Sequence, residues 1–395
     1  RPQDLRPHVQ GHVRGEDGEM TASSSAHGGC RPIRVAQIVG KMNGGGVEAV
    51  VMNYYRHIDR SRVQFDFLVD ADSTLVPTEE IESLGGRVFP PYQNVLEYQQ
   101  ALKSLFRVQG WEIVHSHINA LSVFPLRAAK KVGVPVRIAH SHSTSGKGEY
   151  AKNALKAVLR TQANRYPTHR FACSELAGKW LFGEGSDFEV IHNAVDLSRF
   201  IFDVETRAEA RAALGLAGDQ FAIGHVGRFT AQKNHRFLIE VFSEVVKRRS
   251  DAVLLLVGTG EAEALAESWA AERKVADKVR FLGQRADVER LYQAFDAFAL
   301  PSLYEGLGLV GVEAQVAGLP CFLSDAITRE VDVTGTSRFL PIDDPRVWAD
   351  VICGTGQRTN EERASFRASA FADYDIERQG ARLTEKYLSL HKEMR

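Results

Sequence analysis

The sequence predicts two doubly wound α/β domains, each a parallel sheet covered by helices on both faces, meeting across a cleft. Three observations carry this. Short apolar runs alternate with amphipathic helical segments along the 395 residues. The alternation restarts after the middle of the chain, and a chain of this length exceeds one core. Several apolar runs end in glycine-rich loops, as strands of open parallel sheets do where they meet ligands.

The elements follow in order. "IRVAQIV" (33–39) is a strand that runs into the loop "GKMNGGGVE", and a helix with Val47, Val50, Val51 and Tyr54 on one face comes next. "FDFLVD" (65–70), "EIVHSHI" (112–118), "PVRIAHSH" (135–142), "THRFACS" (168–174) and "FEVIHNAVD" (188–196) complete the strands of the first half, with helical "LSVFPLRAAKKVG" among them. The second half opens with the strand "FAIGHVGR" (221–228) and the amphipathic helix "NHRFLIEVFSEVVKRR". "AVLLLVGTGE", "VRFLGQ", "AFALPS" and "PCFLSD" supply further strands. Residues 1–31 are expected to be a disordered extension, with Met20 a candidate start. The predicted domains are 32–200 and 201–375, joined near 197–215, and a terminal helix at 376–395 is expected to pack back on the first domain.

Composition narrows the function. Hydrophobic content of 44% and charged content of 25% are ordinary for a globular protein, and the net charge of −1 gives no global attraction to nucleic acid or membrane. The four cysteines are widely spaced, so neither a zinc knuckle nor a disulfide framework is indicated, and a reducing, cytoplasmic setting fits. No apolar run is long enough to span a bilayer.

The segment "SLYEGLGLVGVEAQVAGLP" (302–320) asks why a nearly apolar stretch carries Glu305 and Glu313. It follows the strand "AFALPS", so its start is a strand-end loop, and a short helix begins near Leu309. Unpaired amides near Gly308, Leu309 and Val310 then form an anion site, and Gly306 and Gly308 let a ligand approach the backbone. Glu313 falls about 6 Å along that helix. There a carboxylate can accept from a ribose diol, while Glu305 can accept from sugar hydroxyls. Read alone, Glu305 fits equally a solvated loop residue, and Glu313 a paired core residue.

Other loops carry candidate chemistry. In "VGRFTAQKN", Arg228 and Lys233 could neutralise phosphate oxygens, or simply be solvated cations at a helix start. Gly44, Gly45 and Gly46 could admit phosphate or acceptor to the backbone, or form only a flexible turn. They match neither a dinucleotide fingerprint nor a Walker lysine pattern. His115/His117 and His140/His142 sit at alternate strand positions and so share faces, an arrangement open to metal.

Together these pieces resemble a known family. "EGLGLVGVEA" followed by "AGLP", with "GGGVEAVVMNYYRHID", "HSH", "IHNAVD", "HVGRFTAQKNH", "VGTGE" and "LPSLYEGLG", resembles the retaining glycosyltransferases of family 4, from residue 33 almost to the end. The resemblance implies the GT-B fold of two facing Rossmann-like domains. It implies that Arg228 and Lys233 bind the donor diphosphate, Glu305 the sugar and Glu313 the ribose, and that His117 lies near the donor sugar. Gly306, Leu307, Gly308, Leu309, Val310, Gly45, Gly46, Arg285 and Asn193 are the further donor contacts it implies.

The resulting expectation is a retaining, metal-independent hexosyltransferase with no cofactor. Its donor is a nucleotide-sugar, read as UDP-linked, and its acceptor a glycan or lipid-linked glycan in capsule, exopolysaccharide or lipopolysaccharide assembly. No Asp-x-Asp is placed to hold a metal between phosphates. Rival readings are a nucleotide-sugar epimerase of the same architecture, a metal-dependent hydrolase using the histidine pairs, and a non-catalytic sugar-nucleotide binder. Arg127, Lys130, Lys131, Arg137, Lys147, Lys152, Lys156, Arg160, Arg165 and Arg170 lie in a stretch whose only acid is Glu149. That stretch is a candidate for electrostatic contact with an anionic membrane at its cytoplasmic face, for an acceptor-phosphate site, or for a solvated helix face.

Overall fold

A computed structural model describes residues 31–89, 98–144, 156–365 and 367–394. The expectations for residues 1–30, and those for Lys147, Glu149 and Lys152, lie outside the described residues.

The first sheet contains β1 (Ile33–Gly40), β2 (Val63–Val69), β3 (Arg87–Phe89), β4 (Ile113–Ser116), β5 (Val136–Ser141), β6 (His169–Ala172) and β7 (Glu189–Val190), in the order β3-β2-β1-β4-β5-β6-β7. The second contains β8 (Phe221–Val226), β9 (Ala252–Val257), β10 (Val279–Phe281), β11 (Ala297–Leu300), β12 (Cys321–Ser324) and β13 (Arg338–Leu340), in the order β10-β9-β8-β11-β12-β13. Every pairing in both sheets is parallel. The predicted pair of doubly wound parallel sheets is present.

The burial pattern explains the composition. Every residue of "VQFDFLV" in β2 and "AVLLLV" in β9 is buried, because helices cover both faces of each sheet. Alternate residues feed opposite faces. Val35 and Val39 of β1 join one core cluster while Ala36 and Ile38 join another. In β8, Phe221 and Ile223 face one cluster and Ala222 the other.

Several elements differ from the sequence expectation. β3 and β13 are three-residue edge strands, too short for a periodic signal. The expected strand 188–196 shrinks to Glu189–Val190, after which the chain leaves the sheet. The segment between the sheets carries two helices, Leu197–Phe200 and Val204–Ala213.

The chain returns beside its own exit. Val195 N–H donates to Tyr374 O at 2.7 Å, and Ile376 N–H to Val195 O at 3.0 Å. The helix Ile376–Lys392 then packs on the helix Gly46–His57, beside β2. Gly380 permits the approach, since a Cβ there would lie 2.7 Å from His57 O. This helix carries Tyr387 into the first core, where it is fully buried.

In each sheet the strand order reverses once, between β1 and β4 and between β8 and β11. Ligand crevices of open α/β sheets form beyond the strand ends at such points. The loops after β1, β4, β8 and β11 carry most of the residues singled out in the sequence.

Candidate functional site

The loops after β8 and β11 are tied together. The first runs through Gly227 and Arg228 into a 3-10 turn at Ala231–Lys233, and the helix His235–Arg248 follows. Lys233 Nζ lies 2.6 Å from Glu305 Oε1 in the second loop. Gln232 donates to Glu305 Oε2 at 3.2 Å and to Tyr304 O at 2.9 Å, and Leu303 N–H donates to Gln232 O at 2.8 Å. The Lys233 and Glu305 side chains are only 16% and 9% exposed, so the pair is substantially desolvated. Arg228 is exposed; its carbonyl accepts from Thr230 N–H at 2.8 Å, but its side chain makes no hydrogen bond or ion pair among the described residues. The loop thus carries one free guanidinium and one held ammonium.

The helix beyond Glu305 starts at Leu309 and runs to Val316. Gly308 takes a left-handed conformation, φ +83°, to turn the chain into it. Leu307 is buried, and Leu309 and Val310 are half-buried. Gly311 N–H is taken by Gly308 O at 2.8 Å, while the amides before it, Leu309 and Val310, are of the kind a helix start offers to an anion. Arg363 clamps the other end of this helix, donating to Ala317 O as well as to the carbonyls of Tyr292, Gln293 and Phe295.

Glu313, on this helix, is half-buried and accepts a 2.8 Å hydrogen bond from the Tyr292 hydroxyl at Oε2. Burial pushes its carboxyl up to about 7, against the opposing effects of the Tyr292 bond and of Arg199 and Lys233. Tyr292 is fully buried, so it fixes one oxygen of the carboxylate and leaves the other for a ligand. Nothing in the spacing of the sequence pointed to Tyr292.

The first domain closes on this loop. Ser174 Oγ donates to Gly306 O at 2.6 Å. A Cβ on Gly306 would lie 2.0 Å from His142 O, so only glycine fits. Gln284, next to Arg285, sits against Gly44, where a Cβ would be 3.0 Å from Gln284 Nε2. Arg285 itself is exposed and turned onto Asp287, at 2.7 and 2.8 Å. It joins a neighbouring carboxylate rather than the Lys233–Glu305 group.

The glycine loop after β1 is not an open cradle. Glu48, in the first turn of its own helix, accepts from Asn43 N–H at 2.9 Å and Gly45 N–H at 2.6 Å. A phosphate at Gly45 would have to displace that carboxylate. Gly46 has open space where a side chain would stand.

The four histidines form one buried stack. His115 pairs with His140 at 3.1 Å, and His117 with His142 at 2.9 Å. His117 Nε2 also meets Gln37 Oε1 at 2.7 Å, so both of its ring nitrogens are occupied. A contact between His117 nitrogen and a sugar requires one of these bonds to open. The amide of Gln37 donates to Tyr387 Oη at 3.1 Å, and Tyr387 lies 2.6 Å from His115 Nδ1. Burial holds all four imidazoles below the usual histidine range, His142 at about 4. Ring nitrogens of His115, His117 and His140 lie within 4.8 Å of one another, the reach of a loose metal site. No carboxylate joins them among the described residues, and an ion would have to break the imidazole–imidazole bonds.

The Glu313 environment is directly measurable. Its carboxyl carbon should titrate near pH 7 by NMR, and Tyr292→Phe should move that midpoint higher, because the lost bond favoured the charged form. The sign for stability follows. A carboxyl with a folded value above its unfolded value of about 4.3 loses stability as pH rises through about 7. Glu313→Gln should flatten that loss. A Glu313 midpoint in the ordinary carboxylate range would contradict the buried assignment.

Comparison with known proteins gives the family and the fold. The family model "Glycosyltransferase Family 4" matches residues 44–199, and "Glycosyl transferases group 1" matches residues 206–335. EpsF of Bacillus subtilis (strain 168), which carries a glycosyltransferase name, is 37% identical over 375 residues, covering 91% of this chain and 98% of that protein. An Escherichia coli UDP-Gal:alpha-D-GlcNAc-diphosphoundecaprenol alpha-1,3-galactosyltransferase is 29% identical over 235 residues, covering 57% of this chain and 60% of that protein. In fold, the chain is similar to HepE of Anabaena, solved in complex with UDP-glucose, with a TM-score of 0.76 at 19% identity over 90% of this chain and 99% of that one. The chain belongs to the group 1, family 4 glycosyltransferases and has the GT-B fold.

Proposed function

We propose that this enzyme is a retaining, metal-independent hexosyltransferase. It moves a hexosyl unit from a UDP-sugar to a glycan or lipid-linked acceptor in exopolysaccharide, capsule or lipopolysaccharide assembly. The observation that carries the reading is the Lys233–Glu305 pair beside exposed Arg228 and the helix start at Leu309. The reading takes these two cations and the helix N-terminus, on neighbouring strand-end loops, as the groups for a diphosphate, and the Glu305 carboxylate as the group for the sugar. UDP as the carrier nucleotide is supported by the UDP-Gal specificity in the name of the Escherichia coli relative and by the UDP-glucose bound to HepE. The exopolysaccharide setting is supported by likeness to EpsF.

The steps follow from those groups. The acceptor hydroxyl attacks the anomeric carbon on the face the phosphate leaves. The C1–O bond to phosphate breaks, and the hydroxyl proton passes to a leaving phosphate oxygen. Products are the glycoside and a nucleoside diphosphate. Lys233, Arg228 and the amides near Leu309 stabilise the charge that develops on that phosphate. Glu313 accepts from the ribose. Glu305 exchanges Lys233 for sugar hydroxyls. Closure of Gly306 on the first domain excludes water from the donor.

UDP at 100 times its dissociation constant should raise native stability by about 2.7 kcal/mol, and the shift should survive EDTA. Lys233→Ala should lower turnover about 100-fold or more, with a lowered but still cooperative thermal transition, because it leaves Glu305 unpaired in a desolvated site. A UDP effect abolished by EDTA, or normal turnover in Lys233→Ala, would contradict the proposed diphosphate site.

The proposed setting is the cytoplasmic face of the membrane. Among the described residues no helix is long and apolar enough to cross a bilayer. Support for peripheral contact comes from exposed Leu121, Phe124 and Val158 on the same stretch as Arg127, Lys130, Lys131, Arg160, Arg165 and Arg170. The protein should sediment with anionic vesicles at low salt and be released at about 0.5 M salt. Equal recovery with neutral vesicles would count against this contact.

A further inference from the structure

His225 stands near the end of β8, two residues before Gly227, and is fully buried. Its Nδ1 lies 2.8 Å from Ala299 O on the neighbouring strand β11. A carbonyl only accepts, so Nδ1 carries the proton and Nε2 of the neutral ring is a bare lone pair. Burial holds this imidazole down to about 4, with the Ala299 bond opposing and the charge of Lys233 adding to the effect. Nε2 is buried and has no hydrogen-bond partner among the described residues. Buried polar atoms without partners are rare, and this one calls for a donor.

Lys233 can supply it. A Cβ on Gly227 would lie 3.2 Å from His225 Nε2 and 3.1 Å from Lys233 Cε, so both groups border the same space over a residue with no side chain to fill it. Of its three ammonium protons, Lys233 gives one to Glu305 Oε1, its one side-chain partner among the described residues. The His225 ring is also pinned. His235 meets it edge to face at 4.8 Å and stacks on Phe229 at 4.1 Å. Both ring nitrogens of His235 are buried and unpartnered as well, but its contact with His225 is ring against ring and not a hydrogen bond.

We propose that His225 is a positioning residue for Lys233: Nε2 accepts a second ammonium proton when the lysine turns from Glu305 to the donor diphosphate, and so aims its charge at the phosphates. The proposal rests on the reading of Lys233 as a diphosphate ligand and adds the group that orients it. His225 itself touches no substrate. Gly227 serves the same contact, since a methyl there would crowd both the lysine and the imidazole.

The test is calorimetry with UDP and with uridine, which lacks the phosphates. The proteins are the parent, His225→Phe, His225→Gln, Gly227→Ala, Lys233→Ala, and Lys233→Ala combined with His225→Phe. His225→Phe should weaken UDP about tenfold, the size of a hydrogen bond to a charged group, and leave uridine within about twofold. His225→Gln, which restores an acceptor, should recover part of the loss. Gly227→Ala keeps both side chains, and its backbone is not left-handed, so it keeps the test open should His225→Phe fail to fold. It too should weaken UDP and leave uridine unchanged. In the Lys233→Ala background His225→Phe should cost UDP nothing further, because no ammonium is left to hold. Equal losses for UDP and uridine would show a structural role and overturn the proposal. So would unchanged UDP affinity in both His225→Phe and Gly227→Ala, or a full additional loss in the Lys233→Ala background. UDP affinity unchanged by Lys233→Ala alone would instead remove the diphosphate reading, and the proposal with it.

Discussion

Lys233 and Glu305 form a 2.6 Å ion pair between loops that follow two neighbouring strands, and the site is organised around it. Burying two charges costs desolvation that their attraction offsets only with good geometry and further hydrogen bonds. Gln232 supplies one of these, donating to the second oxygen of Glu305. The pair holds the ammonium at the mouth of β8 before any ligand arrives. It also keeps Glu305 in a loop that a lone carboxylate would leave for water. In the proposed mechanism a diphosphate takes Lys233 by offering better charge than Glu305 does, which frees the carboxylate for hydroxyls and couples phosphate binding to the reading of the sugar through one contact.

The backbone makes this contact reachable. Gly258 takes φ +135°, and a Cβ there would lie 2.2 Å from Gly227 O. A Cβ on Gly260 would lie 2.5 Å from Phe229 O. The "VGTG" turn therefore presses the Arg228 loop into position by an approach that only glycine permits. Gly308 turns the chain into the helix of Glu313, and Gly306 lets the first domain touch the sugar loop. Four glycines fix the relative positions of two cations, two carboxylates and a helix start.

Much of this was legible in the residues. The two parallel sheets follow from apolar runs and their spacing, and the strand-end loops with Arg228, Lys233, Glu305 and Glu313 stood out by residue type. Local neighbours were less legible. Glu48 caps the glycine loop and Asp287 pairs with Arg285, although both partners lie within five residues and were open to view. Reading charges as ligand contacts overlooked that side chains satisfy nearby charges first. Distant partners left no signal at all. Tyr387 reaches His115 across 272 positions and Gln37 across 350, so the occupancy of His117 could not be read from its motif. Short edge strands and a helical connection between the sheets escaped because periodicity needs length.

The exchange of Lys233 between carboxylate and phosphate is tested most directly by UDP affinity in Glu305→Gln. The variant keeps the loop's shape but removes the charge that competes for Lys233. Calorimetry should show UDP, without sugar, binding about tenfold more tightly than to the parent, while transfer from a UDP-sugar falls. Unchanged or weaker UDP binding would mean that Lys233 does not leave Glu305 for the phosphates, and the account of the site would be wrong.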